Sequence, residues 1–186
     1  MSATTDPNDA IVEAGAAIRI VPCDARYAAA AATLILAIQR EEFGFEITLE
    51  QQPDLAEIAT FYQHGAGNFW VALDGDAVVG TIALKDIGDG QVALRKMFVA
   101  ATHRGANIGI AARLLDAALH WAAQKNVRSV LLGTTEKFRA AHRFYEKHGF
   151  AQIALETLPV SFPRMALDTR FYRLDLAPDT SLPDTV

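Results

Sequence analysis

Apolar and polar positions alternate over residues 17–21 (AIRIV), the pattern of a strand with one face buried. From residue 27 to 39 the period changes. Leu34, Ile35 and Ile38 share one face of an alanine-rich helix, and Asp24 or a neighbour stands ready as its N-cap. Residues 40–46 (REEFGFE) break that period and read as a loop. Thr48 and Pro53 bracket the start of a short helix over 54–62, closed by Gly65 and Gly67. Two apolar runs, 68–73 and 77–84, flank Asp74-Gly75-Asp76, a strong β-hairpin signal. The β-prone run 92–99 follows the turn at Gly88 and Gly90 and continues the same meander.

Helical spacing returns with Ile110, Ala111, Leu114, Leu115, Ala118, Leu119 and Trp121, predicting a helix over 107–125. Residues 128–133 (RSVLLG) form a short buried strand, and a helical crossover makes it parallel to 92–99. A second amphipathic helix over 137–147 ends at Gly149. Strands are expected over 150–156 and 166–176, separated by a loop holding Pro159 and Pro163. The polar ends, 1–16 and 178–186, carry no packing signal and read as tails around one domain over 17–177. The order βααβββαβαββ predicts an α/β fold with a mixed sheet, antiparallel on its N-terminal side and parallel around strand 92–99.

Composition narrows the function. With 186 residues and 51% apolar content, the chain can bury one sizeable core. Its net charge of −5 argues against nucleic acid as a partner, since phosphate backbones recruit clustered Lys and Arg. The single cysteine, Cys23, excludes an internal disulfide framework and a cysteine zinc site, and beside Pro22 it reads as a small buried residue. No basic-then-apolar leader or membrane-length apolar run is present, so a cytoplasmic protein with no membrane partner is expected.

The chemistry concentrates where strand 92–99 passes through Arg104-Gly105-Ala106-Asn107-Ile108-Gly109 into the helix at Ile110. Such a turn aims successive backbone N–H groups outward at a helix N-terminus, which suits a phosphate or pyrophosphate. It is not a nucleotide P-loop, because Gly109 is followed by Ile110 and Ala111 rather than Lys and Ser or Thr. Nor is it a dinucleotide fingerprint: two glycines replace three, and Arg128 and Ser129 stand where an acidic residue is needed. An ordinary βα connection is the bland alternative.

Arg104 first, Asn107 fourth and Gly109 sixth resemble the Arg/Gln-x-x-Gly-x-Gly/Ala signature of the Gcn5-related N-acetyltransferases, the GNAT superfamily. Asn takes the place usually held by Gly, and it is the non-glycine residue most at ease at positive φ. A second block, Ala141-x-x-Phe144-Tyr145-Glu146-Lys147-His148-Gly149-Phe150, is similar to the family's Ala-x-x-Phe-Tyr-x-x-x-Gly-Phe. The Asn common three residues before that Ala is Phe138 here. The resemblance implies two central parallel strands that splay apart, with flanking helices and acetyl-CoA as donor in the opening, and no metal.

Carried over by position, Met97, Phe98 and Val99 match the strand that pairs with the pantetheine arm. The N–H groups of Arg104, Gly105, Ala106, Asn107, Ile108, Gly109 and Ile110 match the pyrophosphate cradle, and Phe138 lies beside the cofactor. Tyr145 matches the acid that protonates the departing thiolate, with His142 one turn earlier. The base is not fixed by the resemblance, because strand 92–99 holds no carboxylate. Glu42 is the leading candidate, with Glu41, Glu46 and Asp168 as others. The acceptor is expected to be a primary amine of a small molecule, amino acid or peptide. The acidic loop could select a cationic amine, whereas Arg164 and Arg170 could hold a substrate carboxylate. A homodimer stays open. Against an N-acetyltransferase stand a non-catalytic acyl-CoA-binding module and an unrelated phosphate-binding α/β protein.

Overall fold

The sheet grows from its N-terminal edge. In this computed structural model, which describes residues 17–105 and 107–176, β1 (Arg19–Pro22) leads into α1 (Ala25–Ala37). The Asp24 carboxylate caps α1 by accepting the Arg26 N–H at 2.9 Å. The helix does not stop at 39. It widens into a π-helical turn over Ile38–Glu42 that Gly44 ends at φ 66°, so much of the predicted loop is helical. Short helices α2 (Pro53–Ala56) and α3 (Ile58–Tyr62) follow. The expected tails at 1–16 and 178–186 lie outside the described residues.

β2 (Asn68–Asp74) and β3 (Ala77–Gly88) form the hairpin around Gly75, and β4 (Gln91–Val99) returns antiparallel beside β3. After β4 come α4 (Ile110–Gln124), β5 (Ser129–Thr134), α5 (Arg139–Lys147), β6 (Ala151–Ile153) and β7 (Arg170–Asp175). The sheet order is β1-β2-β3-β4-β5-β7-β6, with β4 and β5 parallel and the other neighbours antiparallel, as the element order predicted. Two strands are shorter than expected. A 3-10 turn over Leu155–Thr157 ends the β6 segment early. The start of β7 is delayed because Asp168 accepts the Met165 N–H at 2.9 Å and folds 165–168 into a turn.

Both faces of the sheet are covered, so β2 is buried on both sides instead of alternating. On one face α4 and α5 pack Leu114, Leu115 and Tyr145 onto Val92, Leu94, Val130 and Leu132. On the other, α1 to α3 pack Ile35, Leu55, Ile58 and Tyr62 onto Phe69 and Val71. Each such side chain, fully buried, contributes about 1.5–3 kcal/mol. A smaller cluster joins Ile87, Ala93 and Leu131 to Phe162 and Phe171, and it pins the 158–168 loop beside the end of β5.

Two departures from a regular sheet position the site. β4 and β5 pair only at Gln91 with Ser129, Val92 with Val130 and Ala93 with Leu131. Beyond that point both strands continue, but β5 keeps its pairs with β7 while β4 stays with β3, and the two part. The second departure is a β-bulge. Thr81 pairs with Phe98 and Ala83 with Arg95, so Lys96 and Met97 together face Ile82, with Lys96 at φ 52°.

Candidate active site

The parting of β4 and β5 opens a cavity of about 440 Å³. Its walls include Met97 and Phe98 of β4, Thr134 of β5, Phe138 and Tyr145 of the α5 segment, and Asp168 from the loop before β7. Along this opening the β4 main chain has no strand partner on the β5 side, which leaves an edge for an extended ligand to pair with.

At one end of the opening the chain turns into α4. Gly109 is the N-cap at φ 65° and ψ 20°, a left-handed conformation that Gly adopts without steric cost. The first-turn N–H groups of Ile110, Ala111 and Ala112 have no carbonyl ahead of them within the helix, so an anion is the natural partner. Arg104 ties this turn down. Its Nε donates to the Val99 carbonyl at 2.7 Å, while Nη1 and Nη2 donate to the two Glu42 oxygens at 2.6 and 2.8 Å. Nearby, Phe138 packs edge-on against Phe43, Phe45 and Phe98, with centroids 4.3, 6.0 and 6.4 Å away.

Tyr145 reaches the middle of the opening from α5. It is 7% exposed and packs among Phe144, Phe150 and Tyr172. Its hydroxyl has no hydrogen-bond partner among the described residues, yet no buried side-chain polar atom there is left unsatisfied. The oxygen is therefore accessible from the cavity that Tyr145 lines. Burial holds its pKa well above the usual phenol range, so the proton stays on at neutral pH.

Asp168 lines the other end, lying against Gly133 of β5: a Cβ on Gly133 would fall 2.4 Å from its Oδ2. Gly is needed here for room, not for conformation. Burial raises the Asp168 pKa, and the Met165 N–H and the charges of Arg95 and Arg164 offset that only in part. Beneath this end lies a buried polar group. The bulge lets the consecutive residues Arg95 and Lys96 reach one carboxylate, Asp54, with Lys96 Nζ at 3.2 Å and Arg95 Nη2 at 3.9 Å from Oδ2. The Tyr62 hydroxyl also donates to Asp54, and Lys96 donates to Gln52, which in turn donates to Gln39 at 2.9 Å. Burial lowers the Lys96 pKa, and Arg95 lowers it further while Asp54 opposes both.

A splayed central pair, a left-handed glycine at the α4 N-terminus and a cavity between them agree with what the resemblance to the GNAT superfamily implies. Residues 33–150 match the model of the acetyltransferase (GNAT) family. The chain belongs to that family. A GNAT-family acetyltransferase from Staphylococcus aureus Mu50 has a similar structure, with a TM-score of 0.82 and 37% identity over 87% of this chain and 100% of that one. Among curated proteins, the N-acetylaspartate synthetase of Danio rerio is 36% identical over 126 residues, 65% of this chain and 44% of that protein. The human N-acetylaspartate synthetase is 42% identical over 100 residues, 52% of this chain and 32% of that protein. The chain thus spans less than half the length of these two relatives.

Within this acetyltransferase domain the expected residues separate. Met97, Phe98, Val99 and Phe138 lie on the opening, and Arg104, Gly105, Asn107, Ile108, Gly109 and Ile110 form the turn beside it. Ala106 lies outside the described residues. Glu42 does not line the cavity: the π-turn carries its carboxylate into the two-pronged contact with Arg104 at the turn end. Glu41 and Glu46 are exposed and do not line the cavity. Arg164 and Arg170 also miss it. Arg164 lies over the Phe171 ring, and Arg170 pairs with Glu136 at 3.4 Å on an exposed surface. The buried His142 donates through Nε2 to the Thr135 carbonyl at 3.0 Å, which braces the β5–α5 loop. Cys23 is buried, with its thiol pushed up to about 11 chiefly by burial.

Arg95, Lys96, Asp54 and Tyr62 escaped the sequence reading. Two consecutive cations, Arg95 and Lys96, stood out in a largely apolar strand, but nothing in sequence tied them to Asp54 or Tyr62. Among the described residues no helix is long and apolar enough to cross a membrane, and no cluster of three or more His, Cys, Asp or Glu side chains could hold a metal ion.

Proposed function

We propose that this domain, taken as residues 17–177, moves an acetyl group from acetyl-CoA directly to a primary amine of a small molecule, amino acid or peptide. One observation carries the reading: an accessible Tyr145 hydroxyl and the Asp168 carboxylate share the opening between β4 and β5. The donor supplies an activated acetyl thioester. The unpaired β4 edge at Met97, Phe98 and Val99 suits its pantetheine arm, and the N–H groups from Arg104 to Ile110 suit its pyrophosphate. The phenyl ring of Phe138 packs against the arm where an amide would hydrogen-bond.

An amine attacks a thioester only when neutral, and an alkylammonium has a pKa near ~10.4. Asp168 serves as base, and its raised pKa makes it a better proton acceptor than an ordinary carboxylate. Asp168 takes one proton from the bound ammonium so that the neutral amine can attack, and as the new C–N bond forms the nitrogen sheds its second proton to solvent. As the C–S bond breaks, the Tyr145 hydroxyl gives its proton to the departing sulfur. Glu42, the leading base in the sequence, serves instead to hold Arg104 and the turn.

A thiol-release assay with acetyl-CoA and a panel of amines, amino acids and peptides tests this function. Relatives named N-acetylaspartate synthetase make aspartate the first acceptor to try. Release of one thiol per acetylated amine supports transfer. CoA binding without release on any acceptor identifies a non-catalytic acyl-CoA-binding module.

A further inference from the structure

We propose that Arg95 is the residue that selects the acceptor, by binding a carboxylate on the amine substrate. This rests on the acetyltransferase reading of the same opening. Arg95 and Asp168 both line the cavity there. The Arg95 side chain is only 12% exposed, a setting in which a guanidinium is normally paired with a carboxylate. It lacks one. The nearby Asp54 is taken by closer partners, Lys96 Nζ at 3.2 Å and the Tyr62 hydroxyl, which leave Arg95 Nη2 at 3.9 Å, beyond hydrogen-bond reach. The contact that Nη2 does make is to the Met165 sulfur at 3.0 Å, a weak acceptor.

Arg95 Nε and Nη1 have no hydrogen-bond partner among the described residues, and no buried side-chain nitrogen there goes unsatisfied. These donors are therefore accessible from the opening. They form part of the planar fork that receives a carboxylate through two parallel bonds. The surroundings fix the fork in place. Phe61 lies beneath the guanidinium at 5.9 Å, Met165 lies at its edge, and the Lys96 bulge sets the direction of the strand. The charge pattern of the cavity agrees. Its lining carries Arg95, Lys96, Arg104, Lys137 and Arg139 but one carboxylate, Asp168, in a chain of net charge −5. Asp168 receives the amine and Arg95 the carboxylate, so the two ends of an amino acid zwitterion are matched by opposite charges.

Calorimetric titration of the CoA-bound protein with alaninamide, alanine and aspartate, which carry zero, one and two carboxylates, tests the assignment. Alanine and aspartate should bind at least about tenfold more tightly than alaninamide, the value of a charge-assisted pair. Arg95→Gln should remove that preference and leave the CoA dissociation constant within about twofold, since Asp54 keeps Lys96 as its partner. Arg95→Lys should restore part of it, because a point charge replaces the fork. An unchanged CoA constant shows that each variant is folded. Equal binding of acid and amide, no binding of either acid, or a preference that survives Arg95→Gln would overturn the assignment. Thiol release is read separately. Carboxylate-selective binding without release would keep the Arg95 site and remove the catalytic reading.

Discussion

The two ends of the β4–β5 opening are built from different materials. At the end proposed for the cofactor the available groups are main chain: the free edge of β4, the left-handed Gly109 and the first N–H groups of α4. At the end proposed for the acceptor the lining is made by side chains, Arg95 and Lys96 on β4 and Asp168 before β7, with Asp54 of α2 and Tyr62 of α3 buried behind them. Main-chain contacts depend on a local turn and tolerate varied side chains, which lets Asn107 stand where Gly is commoner. Side-chain contacts depend on how distant segments meet. One end can therefore stay constant for a shared donor while the other changes with the acceptor.

If the ends are separable, a change at the acceptor end should leave CoA binding alone. The largest effect is expected for Asp168→Asn, with kcat lower by about 10³–10⁴, the upper part of the range for general acid–base catalysis. An ammonium that keeps its proton cannot attack at all. In the parent, kcat/KM should rise with pH through a pKa above the ordinary carboxylate value of ~3.9, and this limb should vanish in Asp168→Asn. The stability sign is opposite. A carboxyl whose folded pKa is raised costs stability above that pKa and costs none below the unfolded value. Asp168→Asn should therefore melt no lower than the parent at neutral pH, and a fall in Tm would break this account of the residue.

Tyr145→Phe should lower kcat by about 10²–10³, less than the base variant, because a thiol of pKa ~8.5 can leave partly as an anion. Its hydroxyl has no hydrogen-bond partner to lose among the described residues, so Tm should barely move. A more acidic leaving thiol should shrink the kcat loss. At the cofactor end, Gly109→Val forces a β-branched residue into the left-handed region, which costs roughly 1–2 kcal/mol before any contact with phosphate is lost. The CoA dissociation constant should rise about tenfold or more, with the acceptor KM unchanged. The smallest effect belongs to Glu42→Gln. The Glu42–Arg104 pair is 31% and 41% exposed, and such pairs contribute about 0–1 kcal/mol. CoA binding should weaken less than about fivefold with little change in kcat, whereas a loss of 10² or more in kcat would return Glu42 to the role of base.

This division also explains what was legible in the chain. Periodicity located the strands and helices, and Arg104 to Gly109 located the left-handed turn that opens α4, because each depends on neighbours in sequence. The π-turn at Ile38–Glu42 was hidden, since it prolongs a helical period through residues whose composition reads as loop. That extra turn decides where Glu42 points. Asp168 could be named from sequence, but its place against Gly133 follows from the packing of Phe162 and Phe171 on the sheet. The Arg95–Lys96–Asp54 group was out of reach. It needs a bulge that brings two consecutive side chains to one carboxylate, and nothing in the composition of β4 announces a bulge at a lysine.

The most direct test of the central claim is a crystal structure of the protein with CoA. The thiol should lie in the opening between β4 and β5, within hydrogen-bond reach of the Tyr145 hydroxyl and on the side of the cavity facing Asp168. The pyrophosphate should rest on the N–H groups between Arg104 and Ile110. CoA bound outside the opening, or with its thiol turned away from Tyr145 and Asp168, would contradict the account.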